Sequence, residues 1–347
     1  MHYRIDKDES RRYEAMKALM CVFVMMIHAF SDDFTAQPTC SARIMFNATL
    51  VISRIICDCA VPMFVLMSAV LLYAKPINWW KNLKKKARSL LIPYFIFNSL
   101  WIVWMFCKHI LGKRLGITAG DDIDFSTYSP LQWLDAYLGM IYSAKPILSV
   151  LWYVRDLFVL NILAIPLKKL VDLLPIPVLI LTLAVWIFNV PLIIFSPYSL
   201  CFFIFGYYLV KYDIHFQSFE KLNRYAVWLI YLVLLAVDAV LLRRSLIVNR
   251  LFIVASVVFF IRFSAVLTKG GKLLNWIAPC SFFLYLTHRF TYALFQAVTG
   301  HSFAVYMVSY ILKPVLTLVV IVPLFYFMRR FLPGLLSLMV GGRVQKK

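Results

Sequence analysis

Apolar runs of about 17 to 25 residues recur from Ala15 to Met328, each long enough to cross a hydrocarbon slab of about 30 Å as a helix. Their continuity is the strongest constraint on the fold. A barrel strand would alternate apolar and polar residues, whereas a helix satisfies its backbone polar groups within one apolar segment. With 63% hydrophobic and 15% charged residues over 347 positions, a single soluble core cannot hide this much apolar surface. The expected fold is therefore all-α and integral to the membrane. We expect a bundle of about ten transmembrane helices, near 15–31, 48–73, 90–110, 151–170, 177–195, 198–212, 225–242, 249–268, 277–298 and 304–328. These form one domain over 1–347, with a membrane core at about 13–330 and no separate soluble domain. The first run follows a basic stretch and lacks a small-x-small cleavage site, so it reads as a retained signal-anchor.

The net charge of +20 raises the question of a nucleic-acid partner, and the position of the basic residues answers it. With the N-terminus inside, Arg4, Lys7, Arg11 and Arg12, the run WWKNLKKKAR at 79–88, Lys168, Lys169, Arg329 and Arg330 all fall on inner segments. The outer segments hold fewer, namely Arg43, Lys108, Lys113, Arg114, Lys145, Arg243, Arg244 and Arg250. This asymmetry is the positive-inside rule. It places both termini in the cytoplasm of a cell (inner) membrane, with anionic lipid and not nucleic acid as the basic residues' neighbour. The longest outer loop, about Leu111 to Ser149, carries Asp121, Asp122 and Asp124; it is long enough for a lid or a re-entrant segment and reads as solvated. Six of the seven cysteines fall in or beside spans, with Cys40 in an outer loop. None has metal-ligand spacing with histidines nearby, so no metal site is expected.

The charges left inside spans carry the functional question. They are Lys17, Arg54, Arg155, Arg262, Arg289 and Lys313, together with Asp58, Asp156, Asp238, His28 and His288. Ionisable groups are costly in hydrocarbon and generally face a cavity or a partner. Lys17 and His28 are eleven positions apart, three helical turns plus about 20°, so they share one helix face about 16 Å apart in depth. A snorkelling Lys17 and a helix-packing His28 remain open on this reading alone. Arg54 and Asp58, four apart, face each other on an ideal helix and suit a structural ion pair or an acceptor-side role. Arg155 and Asp156 are adjacent, point about 100° apart and should find separate partners on other helices.

Lys17 with His28, then CAVPMFVLMSAVLLY, RSLLIPYFIFN, LWYVRDLFV and FFLYLTH, in that order along the chain, resemble the motifs of the acyltransferase-3 family of multi-pass membrane acyltransferases. Lys17 and His28 match its pattern of a basic residue, ten residues, then histidine. CAVPMFVLMSAVLLY resembles VPLFFxxSGFLL and sets Ser68 on the serine of that motif, with Ala69 replacing its glycine. RSLLIPYFIFN, LWYVRDLFV and FFLYLTH resemble R...IPY, LWFL and LYLxH, the last placing His288 on the motif histidine. Some relatives use a late-span glutamate, whereas Glu9, Glu14 and Glu220 here lie outside the spans, so either Asp156, Asp58 or Asp238 substitutes or the site differs. The resemblance implies transfer of an acyl group, most often acetyl, from cytosolic acyl-CoA to a hydroxyl of a glycan or lipid-linked sugar. Acyl-CoA would be a donor substrate and not a resident cofactor, and a homo-oligomer is compatible. In this reading His28 is general base or transient acyl carrier, and Lys17 with Arg262 or Arg289 holds the donor. His288 binds donor or relays a proton, and Arg155 with Asp156 orients the acceptor or stabilises the oxyanion. A transporter or flippase, or a non-catalytic binding module on the same scaffold, would also keep charges at two depths.

Overall fold

The computed structural model describes residues 3–34, 39–115, 125–269, 272–299 and 302–343. Asp121, Asp122 and Asp124 lie outside the described residues. The described residues are helical, without strands, in the order α1 (Lys7–Ala29), α2 (Cys40–Leu50), α3 (Ala60–Tyr73), α4 (Trp79–Lys86), α5 (Ile92–Leu115), α6 (Pro130–Leu138), α7 (Trp152–Ile162), α8 (Ala164–Leu173), α9 (Pro175–Ile187), α10 (Pro197–Lys211), α11 (Arg224–Val240), α12 (Leu246–Arg262), α13 (Ser264–Thr268), α14 (Lys272–Thr299), α15 (Phe303–Phe331) and α16 (Pro333–Met339). Among the described residues three stretches are long and apolar enough to cross a membrane: Cys40–Tyr73, Trp79–Leu111 and Phe303–Phe331. Ser149–Ile162 with Ala164–Leu173 makes a fourth if that broken pair is one span.

The chain divides into two compact units, one of Met1–Ile77, Ile165–Pro191 and Pro197–Phe327, the other of Asn78–Ala164, Leu192–Ser196 and Met328–Lys347. In the first unit α1 buries a flexible, sulfur-rich stripe of Met16, Met20, Cys21 and Met25, side chains that fill irregular gaps between helices. Helices α3 and α10 approach closely because Gly206 has no side chain. A Cβ there would lie 2.6 Å from both the Ala69 Cβ and the Leu66 carbonyl oxygen. The alanine that replaces the motif glycine thus meets a glycine on the facing helix.

The stretch from α2 to α3 is not one regular helix. A wide turn at Val51–Ile55 passes into a tight turn at Ile56–Cys59, with Ile55 at φ −114° and ψ −69°. Neighbouring groups take up the disturbed polar atoms: Ser53 donates to the Met26 carbonyl at 2.7 Å, its hydroxyl lies 2.8 Å from that of Tyr310, and Thr49 meets Tyr306 at 2.9 Å. Hydrogen bonds of this kind stabilise irregular helix geometry where water is absent. Around the break, Ile55 packs with Tyr231 of α11 and with Phe252 and Phe259 of α12.

In the second unit α6 is closed at both ends. Ser129 and Gln132 form a reciprocal capping box at its start. Gly139 ends it at φ +59°, where an added Cβ would fall 2.1 Å from the Lys145 carbonyl carbon. Asp135 then organises the following chain. Its carboxylate accepts from the backbone N–H groups of Met140, Ile141, Tyr142 and Ser143 at 2.6 to 3.1 Å, and from the Ser143 hydroxyl at 2.9 Å. Burial pushes the Asp135 carboxyl up, but these bonds outweigh it and bring the pKa down to about 2. All seven cysteines are free, and Cys40 and Cys107 are the exposed ones.

Candidate active site

Helix α1 begins at the Asp6 side chain, which accepts from the Glu9 N–H at 2.7 Å, and runs unbroken to Ala29. Lys17 and His28 therefore share one continuous helix, about 16 Å apart along its axis. Both are half-buried. Alongside lies α14, joined by Cys21 Sγ to the Ser281 carbonyl at 3.3 Å and by the Tyr292 hydroxyl donating to the Met25 carbonyl at 2.9 Å. The two helices run in the same direction, and near the end of α1 the ring of His28 meets that of His288, with centroids 5.3 Å apart and planes tilted by 36°.

His288 is fully buried, and its chemistry is fixed by its own helix. Nδ1 lies 2.8 Å from the Tyr285 carbonyl and 3.2 Å from that of Leu284, so Nδ1 carries the hydrogen and donates. In a neutral imidazole the lone pair then sits on Nε2. That atom is buried and has no hydrogen-bond partner among the described residues. Tyr292 presents its edge to the same ring at 5.7 Å. Arg289, the next residue, also has a buried Nε without a hydrogen-bond partner among the described residues. On α14 an acceptor lone pair thus lies beside His28, and a cation follows it in the chain.

The remaining expected site residues are placed differently. Arg54 and Asp58 do not pair with each other, because the break at Ile55 and Ile56 destroys the i,i+4 register. Arg54 instead pairs with Asp32 at 3.0 Å, and Asp58 with Arg243 at 2.9 Å. Asp58 also offers its carbonyl to the Tyr198 hydroxyl at 2.6 Å, and Arg250 lies over the rings of Trp186 and Tyr198 at 5.3 and 5.7 Å. Asp238, buried, accepts from Asn249 at 3.0 Å. Ser68 is half-buried on α3, one residue before the contact with Gly206. Arg262 ends α12, donates Nε to the Leu222 carbonyl at 3.1 Å and lies over Phe263.

Arg155 and Asp156 belong to the second unit. Contrary to the expectation that they would point apart to separate partners, the guanidinium folds back onto the Asp156 carboxylate at 3.1 and 3.3 Å. A long, flexible side chain spans the angle that backbone direction imposes. Arg155 also donates to the carbonyls of Leu138 and Gly139 at 2.8 and 2.6 Å, completing the C-terminal end of α6 where a cation is favoured. Asp156 accepts from the Ser196 N–H at 2.8 Å. Both charges hold backbone.

One cluster carries no sequence signal. Glu9, nearly fully buried, accepts from Tyr3 at 2.7 Å, Tyr13 at 3.0 Å and the Phe216 N–H at 3.3 Å, and its other oxygen lies 2.7 Å from His215 Nδ1. Tyr3 stacks on the His215 ring at 4.1 Å. Nearby, Arg12 bridges Asp8 at 2.8 Å and Glu220 at 2.5 Å. Tyr3, Tyr13 and Asp8 are local partners, but His215, Phe216 and Glu220 lie about two hundred positions away in the chain, so no local spacing announces the cluster.

A family model described as an acyltransferase domain matches residues 11–330, which include Lys17, His28 and His288. The chain belongs to the acyltransferase-3 family. A curated relative, the succinoglycan biosynthesis protein ExoH of Rhizobium meliloti (strain 1021), is 27% identical over 306 residues, covering 83% of this chain and 80% of that protein. No solved structure matches. The two imidazoles that α1 and α14 bring into contact are those of the stretches that resemble the acyltransferase-3 motifs.

Proposed function

We propose that the protein is a membrane O-acyltransferase that moves an acyl group, acetyl in the simplest case, from acyl-CoA to a hydroxyl of a polysaccharide or its lipid-linked precursor. The observation that carries this reading is the contact between His28 and His288 in a chain of this family. The printed role of the relative, succinoglycan biosynthesis, supports a polysaccharide acceptor. The acceptor hydroxyl attacks the thioester carbonyl and forms the new C–O bond while His28 takes its proton. The tetrahedral oxyanion collapses, the C–S bond breaks, and the CoA thiolate leaves and takes up a proton. His288, with Nδ1 held by carbonyls, keeps Nε2 as an acceptor beside the working imidazole. Lys17, about 16 Å away on the same helix face, meets the donor, and Arg262 is the further candidate for its phosphates.

The test is incubation of purified protein in lipid nanodiscs with radiolabelled acetyl-CoA and membrane glycolipid. Label should move to glycolipid with wild type and fall by at least about a hundredfold in His28→Ala, with a comparable loss in Lys17→Ala read chiefly as weaker donor binding. Full activity in His28→Ala would remove that residue from the mechanism. Movement of glycolipid across the bilayer without acylation would favour a flippase.

A further inference from the structure

Beside the imidazole pair stand two cations that the reaction as proposed does not use together. Arg289 follows His288 on α14, and Lys313 lies on α15 within electrostatic reach of it. Their placement follows from helix geometry. Lys313 is ten residues from the start of α15 at Phe303, and Arg289 is ten residues from the end of α14 at Thr299, so both sit about 15 Å from the connection between the helices. Two bonds tie the antiparallel pair in this register, Thr291 to Thr317 at 2.6 Å and the Tyr326 hydroxyl to the Trp276 carbonyl at 3.1 Å. Arg289 and Lys313 are opposite each other to within the spacing those bonds set.

No carboxylate among the described residues pairs with either cation, while Arg54, Arg155 and Arg243 each have one. Two like charges facing each other within apolar helices repel and are poorly solvated, so the arrangement is stable in proportion to the anion that joins it. We propose that Arg289 and Lys313 form a subsite for an oxyanion, a carboxylate or phosphate carried by the substrate close to the group being transferred. This rests on the acyltransferase reading and deepens it. The phosphates of a CoA donor held at Lys17 lie about 16 Å along α1 from His28, at the wrong depth to fill a site adjoining His288. The anion therefore comes either from the distal end of the acyl group, as in a dicarboxylic acyl donor, or from the phosphate of a lipid-linked acceptor. Both present the same chemistry to a guanidinium and an ammonium, which bind oxyanions through charge-assisted hydrogen bonds.

Equilibrium binding to the full-length protein in neutral-lipid nanodiscs distinguishes these sources. The probes are succinyl-CoA against acetyl-CoA, and farnesyl diphosphate against farnesol. If the anion is on the acyl group, succinyl-CoA binds at least about tenfold tighter than acetyl-CoA, and the ratio falls to about one in Arg289→Gln and in Lys313→Gln. If it is on the acceptor, the same collapse occurs in the farnesyl diphosphate to farnesol ratio. Lys313→Arg keeps the preference, which separates loss of charge from loss of fold. Equal ratios for wild type and both glutamine variants with both probe pairs would overturn the subsite. Failure of either CoA ester to bind, with a diphosphate preference that still depends on the two cations, would overturn the acyl-CoA reading and leave the subsite standing.

Discussion

At His288 a single ring nitrogen is committed to the helix carbonyls of Leu284 and Tyr285, and the other is left as a buried acceptor beside His28. Replacing His288 with asparagine removes the ring that faces His28, and acyl transfer should drop by at least about tenfold with donor affinity little changed, read as kcat against KM for acetyl-CoA. A second expectation concerns Asp135. Hydrogen bonds to a charged group contribute about 1.5–3 kcal/mol each, so Asp135→Ala should destabilise the segment at 140–143 by about 3 kcal/mol, seen as roughly hundredfold faster amide hydrogen exchange there. Because its carboxyl is held down to about 2 against an ordinary value of 3.8, this contribution is complete above about pH 4 and is lost as pH falls through 2. The motif residues His28 and His288 can be picked out of the sequence one by one, but their meeting cannot, because no spacing within either motif relates α1 to α14. Nor are the partners of Arg54 and Asp58 legible, because i,i+4 spacing predicts a pair while the turn change at Ile55 has no glycine or proline to mark it.

Among the helices, the α3–α10 contact depends on Gly206 lying against Leu66 and Ala69. Gly206→Leu should force these helices apart and cost about 1–3 kcal/mol, measured as a lower melting temperature in detergent. The start of α1 is fastened to the connection after α10 through Glu9 and His215. Burial disfavours the charged imidazole, but the carboxylates of Glu9 and Asp213 outweigh it and raise the His215 pKa above its ordinary 6.5. The extra stability is therefore fully present below about pH 6.5 and is lost as pH rises through the raised value. Exchange at the Phe216 amide should accelerate across that window in wild type and depend less on pH in Glu9→Gln, where Asp213 alone still faces His215. Helix class is legible from continuous apolar runs, and one helix start is legible from proline, Pro175 being the first residue of α9, whereas Pro279, Pro314 and Pro323 stand inside α14 and α15 without ending them. The tie between Glu9 and His215 is invisible because it joins polar residues that each look like an ordinary solvated loop or helix-end group.

For the whole chain, the sequence carries the helical class and the family, whose match extends over residues 11–330. The division into two units leaves no compositional trace, because the second is assembled from Asn78–Ala164, Leu192–Ser196 and Met328–Lys347 and not from one continuous block. The charge asymmetry predicts that Cys40 faces outward. An impermeant maleimide added to intact cells should label it, whereas labelling that requires lysis would invert the assigned orientation. Five of the seven thiols are buried, and the two exposed ones fall one in each unit, Cys40 in the first and Cys107 in the second. The unaltered polypeptide thus carries its own pair of spectroscopic handles, so that two nitroxide labels, the one at Cys107 delivered by a lipid-soluble reagent, would yield an interlabel distance and its change during turnover without a single engineered cysteine.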